Sequence, residues 1–151
     1  MRLVAIIILA LALLSCATPS FDYRCSTGAK IKGPDSARDT IDLACERFAD
    51  RAGVDVETLS LGGVVIVVRD WRESTDCVDS LACARLHPPP ETIDVYRSDN
   101  WRALLIHEVY HVLLWRTRPD IHPDDHHRWL FERRLCAPDG SLCGYGLEGM
   151  P

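Results

Sequence analysis

Between Leu104 and Trp115 the chain is almost wholly apolar, yet His107, Glu108 and His111 stand in its middle. Leu104, Leu105, Val109, Val112, Leu113 and Trp115 recur at helical spacing. Asp99 or Asn100 can cap the start. The spacing predicts a helix over 101–116, apolar enough to lie at the centre of a domain. Two imidazoles and a carboxyl inside such a helix are costly to bury without partners, and a metal ion is the simplest partner.

The pattern His107-Glu108-Val109-Tyr110-His111 is H-E-x-x-H. Residues four apart lie on one helix face, so both imidazoles can meet one ion. Histidine-rich sites suit Zn2+, with nitrogen ligands at about 2.0–2.1 Å. Glu108 lies about 100° further round the axis, placed to reach a water at the metal and not the metal itself. That is the position of a general base in hydrolysis, taking a proton as water attacks a carbonyl and passing it to the leaving amine. The pattern points to a zinc-dependent endopeptidase. A non-catalytic zinc-binding module in the cell envelope is the alternative, but such a site has no need of Glu108.

Such a site needs a third protein ligand. His122, Asp124, His126 and His127 are the nearby candidates, with Asp120 behind them. Pro123 suits the first position of a helix and Asp124-Asp125 its first turn, so a second helix is expected from Pro123 to about Leu135. His126 and His127 are adjacent, so one helix cannot aim both at the same ion. His126 shares a face with Trp129, Leu130 and Arg133, and His127 with Leu130, Phe131 and Arg134. Periodicity does not choose between them.

His111 and His126 are separated by 14 residues, and His126-His127-Arg128-Trp129 is followed by Arg133 and Arg134. This resembles the SprT-like metalloprotease pattern, H-E-x-x-H and then a second helix bearing H-G-x-x-[FW] and an Arg. The resemblance spans roughly residues 92–134. It implies His107, His111 and His126 as metal ligands, Glu108 as catalytic base, and a small α+β zincin-like domain. That domain would hold a short sheet, the H-E-x-x-H helix and a ligand-bearing helix after it. The sequence departs from the pattern at His127, where the family has Gly, and no zinc ribbon is visible.

The rest of the sequence sets the frame. Met1-Arg2 precedes an unbroken apolar run of 12 residues, Leu3 to Leu14. This reads as an export signal and is too short for a transmembrane helix. Leu13-Leu14-Ser15-Cys16 resembles a bacterial lipobox. Cleavage would then precede Cys16, which would be acylated, and Ala17 would suit outer-membrane sorting. Ordinary cleavage after Ala17 would instead release a secreted or periplasmic protein. The expected organisation is a signal over 1–15, a tether over 16–34 and a metallopeptidase domain over 35–151.

Without Cys16 six cysteines remain: Cys25, Cys45, Cys77, Cys83, Cys136 and Cys143. An even set in an exported chain reads as three disulfides. Cys77–Cys83 and Cys136–Cys143 close locally, which leaves Cys25–Cys45. No C-x2-C pair favours a zinc-thiolate site.

Ile41, Ala44, Cys45, Phe48 and Ala52 predict an amphipathic helix over 35–52, ended by Gly53. Val64 to Val68 is the clearest strand. Residues 70–90 read as turns, and Thr92 to Tyr96 as a second strand at the sheet edge. Asp94 and Arg97 would lie beside a peptide substrate paired there. His127, Tyr96, Tyr110 and Tyr145 are candidate oxyanion stabilisers, with Tyr110 more at home in the core. The net charge of -5 argues against a general nucleic-acid binder. The expected partners are a peptide or protein substrate and, through the lipid anchor alone, a membrane.

Overall fold

The structure is a computed structural model that describes residues 24–70 and 81–136. It is an α+β fold with one four-stranded mixed sheet and two long helices. Strand β1 (Lys30–Lys32) leads into helix α1 (Ser36–Ala52) and then strand β2 (Val65–Arg69). Strands β3 (Ala82–Arg85) and β4 (Thr92–Tyr96) follow, then helix α2 (Trp101–Thr117) and the short helix α3 (His126–Glu132). The sheet order is β1-β2-β4-β3. The first three strands run parallel, and β3 pairs antiparallel with β4.

Helix α1 forms because its apolar residues fall on one stripe, and Ile41, Ala44, Cys45 and Phe48 are fully buried. Gly53 ends it in the left-handed region, φ 68°, where the absence of a Cβ removes the strain. In β2 burial alternates, with Ile66 and Val68 turned inward. These residues meet Ile93 and Val95 of β4 and Leu105, Val109, Val112 and Leu113 of α2 in one core. Helix α2 is the pivot, packing on α1, β3 and β4.

Three features lie outside or against the sequence expectation. Part of the stretch expected as a tether is strand, residues 30–32 pairing with β2, while the Cys25–Cys45 bond in the same stretch is the expected one. Strand β4 is not the edge expected for 92–96 but lies between β2 and β3. Among the described residues the sheet ends at β3, in a region read as turns. Ala82-Cys83-Ala84-Arg85 has little strand propensity of its own and is held by pairing with β4 and packing on α2. Asp94, expected beside a substrate on an edge strand, is accordingly buried, and its carboxylate accepts hydrogen bonds from Arg69 at 2.7 and 2.8 Å.

Two further contacts fix the frame of the site. Gly33, at φ 155°, lies so close to β2 that a Cβ there would fall 2.8 Å from that of Val68. Arg116, at the end of α2, donates to the Glu91 carboxylate and to the carbonyls of Ser60 and Gly62. One guanidinium thus ties α2 to the loop before β2 and to the start of β4.

Cys83 and Cys136 are also in disulfides. The expected export signal, Cys16, Cys77, Cys143 and Tyr145 lie outside the described residues.

Candidate active site

On α2 the buried face carries Leu105, Val109, Val112 and Leu113, and the face towards solvent carries His107 and His111. Helix α3 returns across this face and adds a third imidazole. The Nε2 atoms of His107 and His111 are 3.0 Å apart, and each is 3.1 Å from Nε2 of His127. The two α2 imidazoles are half-buried and His127 is exposed, so the cluster is closed on the helix side and open on the other.

Three ring nitrogens in such a triangle cannot satisfy one another. Each neutral Nε2 is either a donor or an acceptor, so at least one of the three pairs must be alike and repulsive. A single cation resolves all three contacts if every Nε2 presents its lone pair. Tetrahedral zinc with ligands at about 2.0–2.1 Å needs nitrogens about 3.3–3.4 Å apart, a few tenths of an ångström from the spacing here. The donor set therefore fits zinc. Three histidines with an open side is the pattern of a catalytic ion and not of a closed structural one.

The third imidazole is His127, which corrects the expectation of His126. Helix α3 turns His126 and Leu130, one turn apart, into the core, where both are fully buried. The neighbouring position, about 100° round, is then the one that reaches His107 and His111. His126 instead lies behind the cluster. Its Nδ1 is 3.1 Å from Nδ1 of His111, with the two ring planes inclined by 25°.

The other candidates are placed elsewhere. His122 is exposed, and its Nδ1 accepts from the Asp124 backbone N–H at the 3-10 turn Pro123–Asp125. Asp120 pairs with Arg118, and Asp124 is exposed beside His122. Tyr110 is a core residue packed on Phe48, and burial pushes its hydroxyl up to about 12. Tyr96 is buried, and Arg97 pairs with Asp70.

Glu108 is buried beside β3. Burial pushes its carboxyl up to about 7, against the lowering effect of a backbone hydrogen bond from Ala84. A carboxyl poised near neutrality suits proton transfer in both directions. Burial, and then the neighbouring His107, His127 and His126, push His111 down to about 3. It therefore stays neutral and keeps a lone pair for a metal. Nδ1 of His107 lies 3.8 Å from the disulfide sulfur of Cys136, a weak acceptor that leaves Nε2 facing the cluster.

Sequence reasoning missed β3 as the strand flanking the site, and the resemblance named His126 where the triangle has His127. The signal for His127 was that His126 shares the stripe of Trp129 and Leu130, the apolar face that a helix turns to its core.

No protein-family model, no curated protein and no solved structure matches the chain, so the SprT-like resemblance gains no support from relatives. The geometry stands by itself: His107, His111 and His127 converge beside a buried Glu108, and that is the arrangement of a catalytic zinc-metalloprotease site.

Proposed function

We propose that the chain is a zinc-dependent endopeptidase that cleaves proteins outside the cytoplasm. The observation that carries this reading is the triangle of Nε2 atoms, open to solvent, with Glu108 next to His107 in sequence. Zinc held there supplies Lewis acidity, making water a nucleophile at neutral pH and polarising a carbonyl.

The chain supplies the rest. Among the described residues β3 pairs with β4 at one end of the sheet. Helix α2 packs on β3, and Glu108 stands at that junction. Glu108 takes the proton of the attacking water and gives it to the departing amine. A pocket of about 550 Å³ lined by Leu86, Pro89, Pro90 and Trp115 begins one turn beyond His111 and just past the end of β3. Its apolar walls suit an apolar substrate side chain.

The location rests on separate support. Disulfides at Cys25–Cys45, Cys83 and Cys136 fit an oxidising compartment. Met1 to Cys16 has the pattern of a lipoprotein export signal. We assign Cys16 as the acylated residue and the cell envelope as the site of action. Cys16→Ala should move the protein from the membrane fraction to the soluble one on fractionation. An unchanged membrane fraction would remove the anchor from the account.

Cleavage of unstructured protein substrates by zinc-loaded protein tests the activity. Glu108→Gln should bind zinc as wild type does and cleave about 10²–10⁴-fold more slowly. Equal cleavage by the two proteins would remove Glu108 from the chemistry.

A further inference from the structure

We propose that His126 is a positioning residue for the metal site, the hydrogen-bond acceptor that fixes the tautomer and ring angle of His111. This inference rests on the zinc reading and deepens it. His126 is fully buried at the start of α3, and its Nδ1 lies 3.1 Å from Nδ1 of His111. A hydrogen bond between two such nitrogens needs one donor and one acceptor.

The site decides which is which. Nε2 of His111 faces Nε2 of both His107 and His127, so to hold a cation it must present its lone pair. A neutral imidazole carries a single N–H, and in His111 that hydrogen must then lie on Nδ1. It donates to Nδ1 of His126, which must be bare. The proton of His126 therefore sits on Nε2. That atom is buried without a partner in hydrogen-bond geometry.

The result is a line of two imidazoles ending behind the metal site. Metal-ligating histidines commonly donate their second N–H to a carboxylate, a carbonyl or water, which orients the ring and raises its basicity. Here an imidazole takes that role. The adjacent histidines divide the work, with His127 completing the cluster from the front and His126 holding His111 from behind.

The test is zinc affinity by competition with a chromophoric chelator, for wild type, His126→Leu and His126→Asn. Leu fills the space without an acceptor. Asn places an amide oxygen near the position of Nδ1. His126→Leu should bind zinc 10–100-fold more weakly, the usual effect of losing such a partner. His126→Asn should recover most of that loss. Urea unfolding of the metal-free proteins separates this from a packing defect.

A wild-type affinity in His126→Leu would overturn the proposal. So would an Asn variant as weak as Leu when both metal-free forms unfold at the wild-type midpoint. Should the variants not fold, nitrogen-15 NMR of zinc-loaded wild type decides: His126 should be the Nε2–H tautomer, and a proton on its Nδ1 would overturn the assignment. Wild type that binds no zinc would fail the metal reading itself, which is a different result from any of these.

Discussion

At the scale of single residues, the site is a matter of which nitrogen carries a proton. His111 is buried deeply enough to remain neutral, and Glu108 deeply enough to titrate near neutrality. These shifts have opposite consequences for the metal-free protein. Glu108 titrates at about 7 in the folded state against an ordinary 4.5, so the stability it adds is present at low pH and lost as pH rises through 7. His111 titrates at about 3 against an ordinary 6.5, so the unfolded chain takes the proton first. Its contribution is present above pH 6.5 and lost below. Glu108→Gln removes the first effect and keeps the second. In chelator, the urea midpoint should therefore fall further between pH 7.5 and pH 5 in Glu108→Gln than in wild type. An equal or smaller fall would mean that Glu108 is not buried as described.

Residue-scale legibility was uneven for a physical reason. The H-E-x-x-H ligands lie on one helix at fixed spacing, so sequence alone places them together. The third ligand reaches the site from another helix, and its identity depends on how α3 rolls against the core. A roll of one residue, about 100°, exchanges His126 for His127.

At the scale of elements, α2 does most of the organising, and the helices were legible because their stripes are strong. Helices α1 and α2 lie where the apolar periodicity predicts, to within a residue. Strand β2 is shifted by one residue from the β-branched run. Strand β3 was hidden because two alanines, a cysteine and an arginine show no strand pattern, and only its neighbours define it. The seat of His127 depends on Phe48 of α1, which lies 6.1 Å from the Tyr110 ring and 5.8 Å from that of Trp129 on α3. Phe48→Ala should lower stability by about 3–5 kcal/mol, the usual cost of truncating a buried Phe. It should also weaken zinc binding, because α3 loses its support. A loss below about 1 kcal/mol in urea unfolding would place α3 elsewhere.

At the scale of the molecule, a small sheet and two helices hold three imidazoles together on one face. A core of this size gains from disulfides, which typically add about 2–4 kcal/mol each. Cys25–Cys45 pins the chain ahead of β1 onto α1, as the elimination from local pairs anticipated. Cysteine count could suggest that pairing, but the role of residues 30–32 as a strand was illegible. A three-residue edge strand takes its conformation from β2 and not from its own side chains.

The function proposed for this chain requires the three imidazoles to hold an ion. The most direct measurement is elemental analysis of the purified, oxidised protein after zinc loading and dialysis, with His127→Ala and His122→Ala alongside wild type. One zinc per chain is expected in wild type and in His122→Ala, and strong loss in His127→Ala. A folded wild type without stoichiometric zinc, or a His127→Ala protein that keeps its zinc in full, would contradict that proposal.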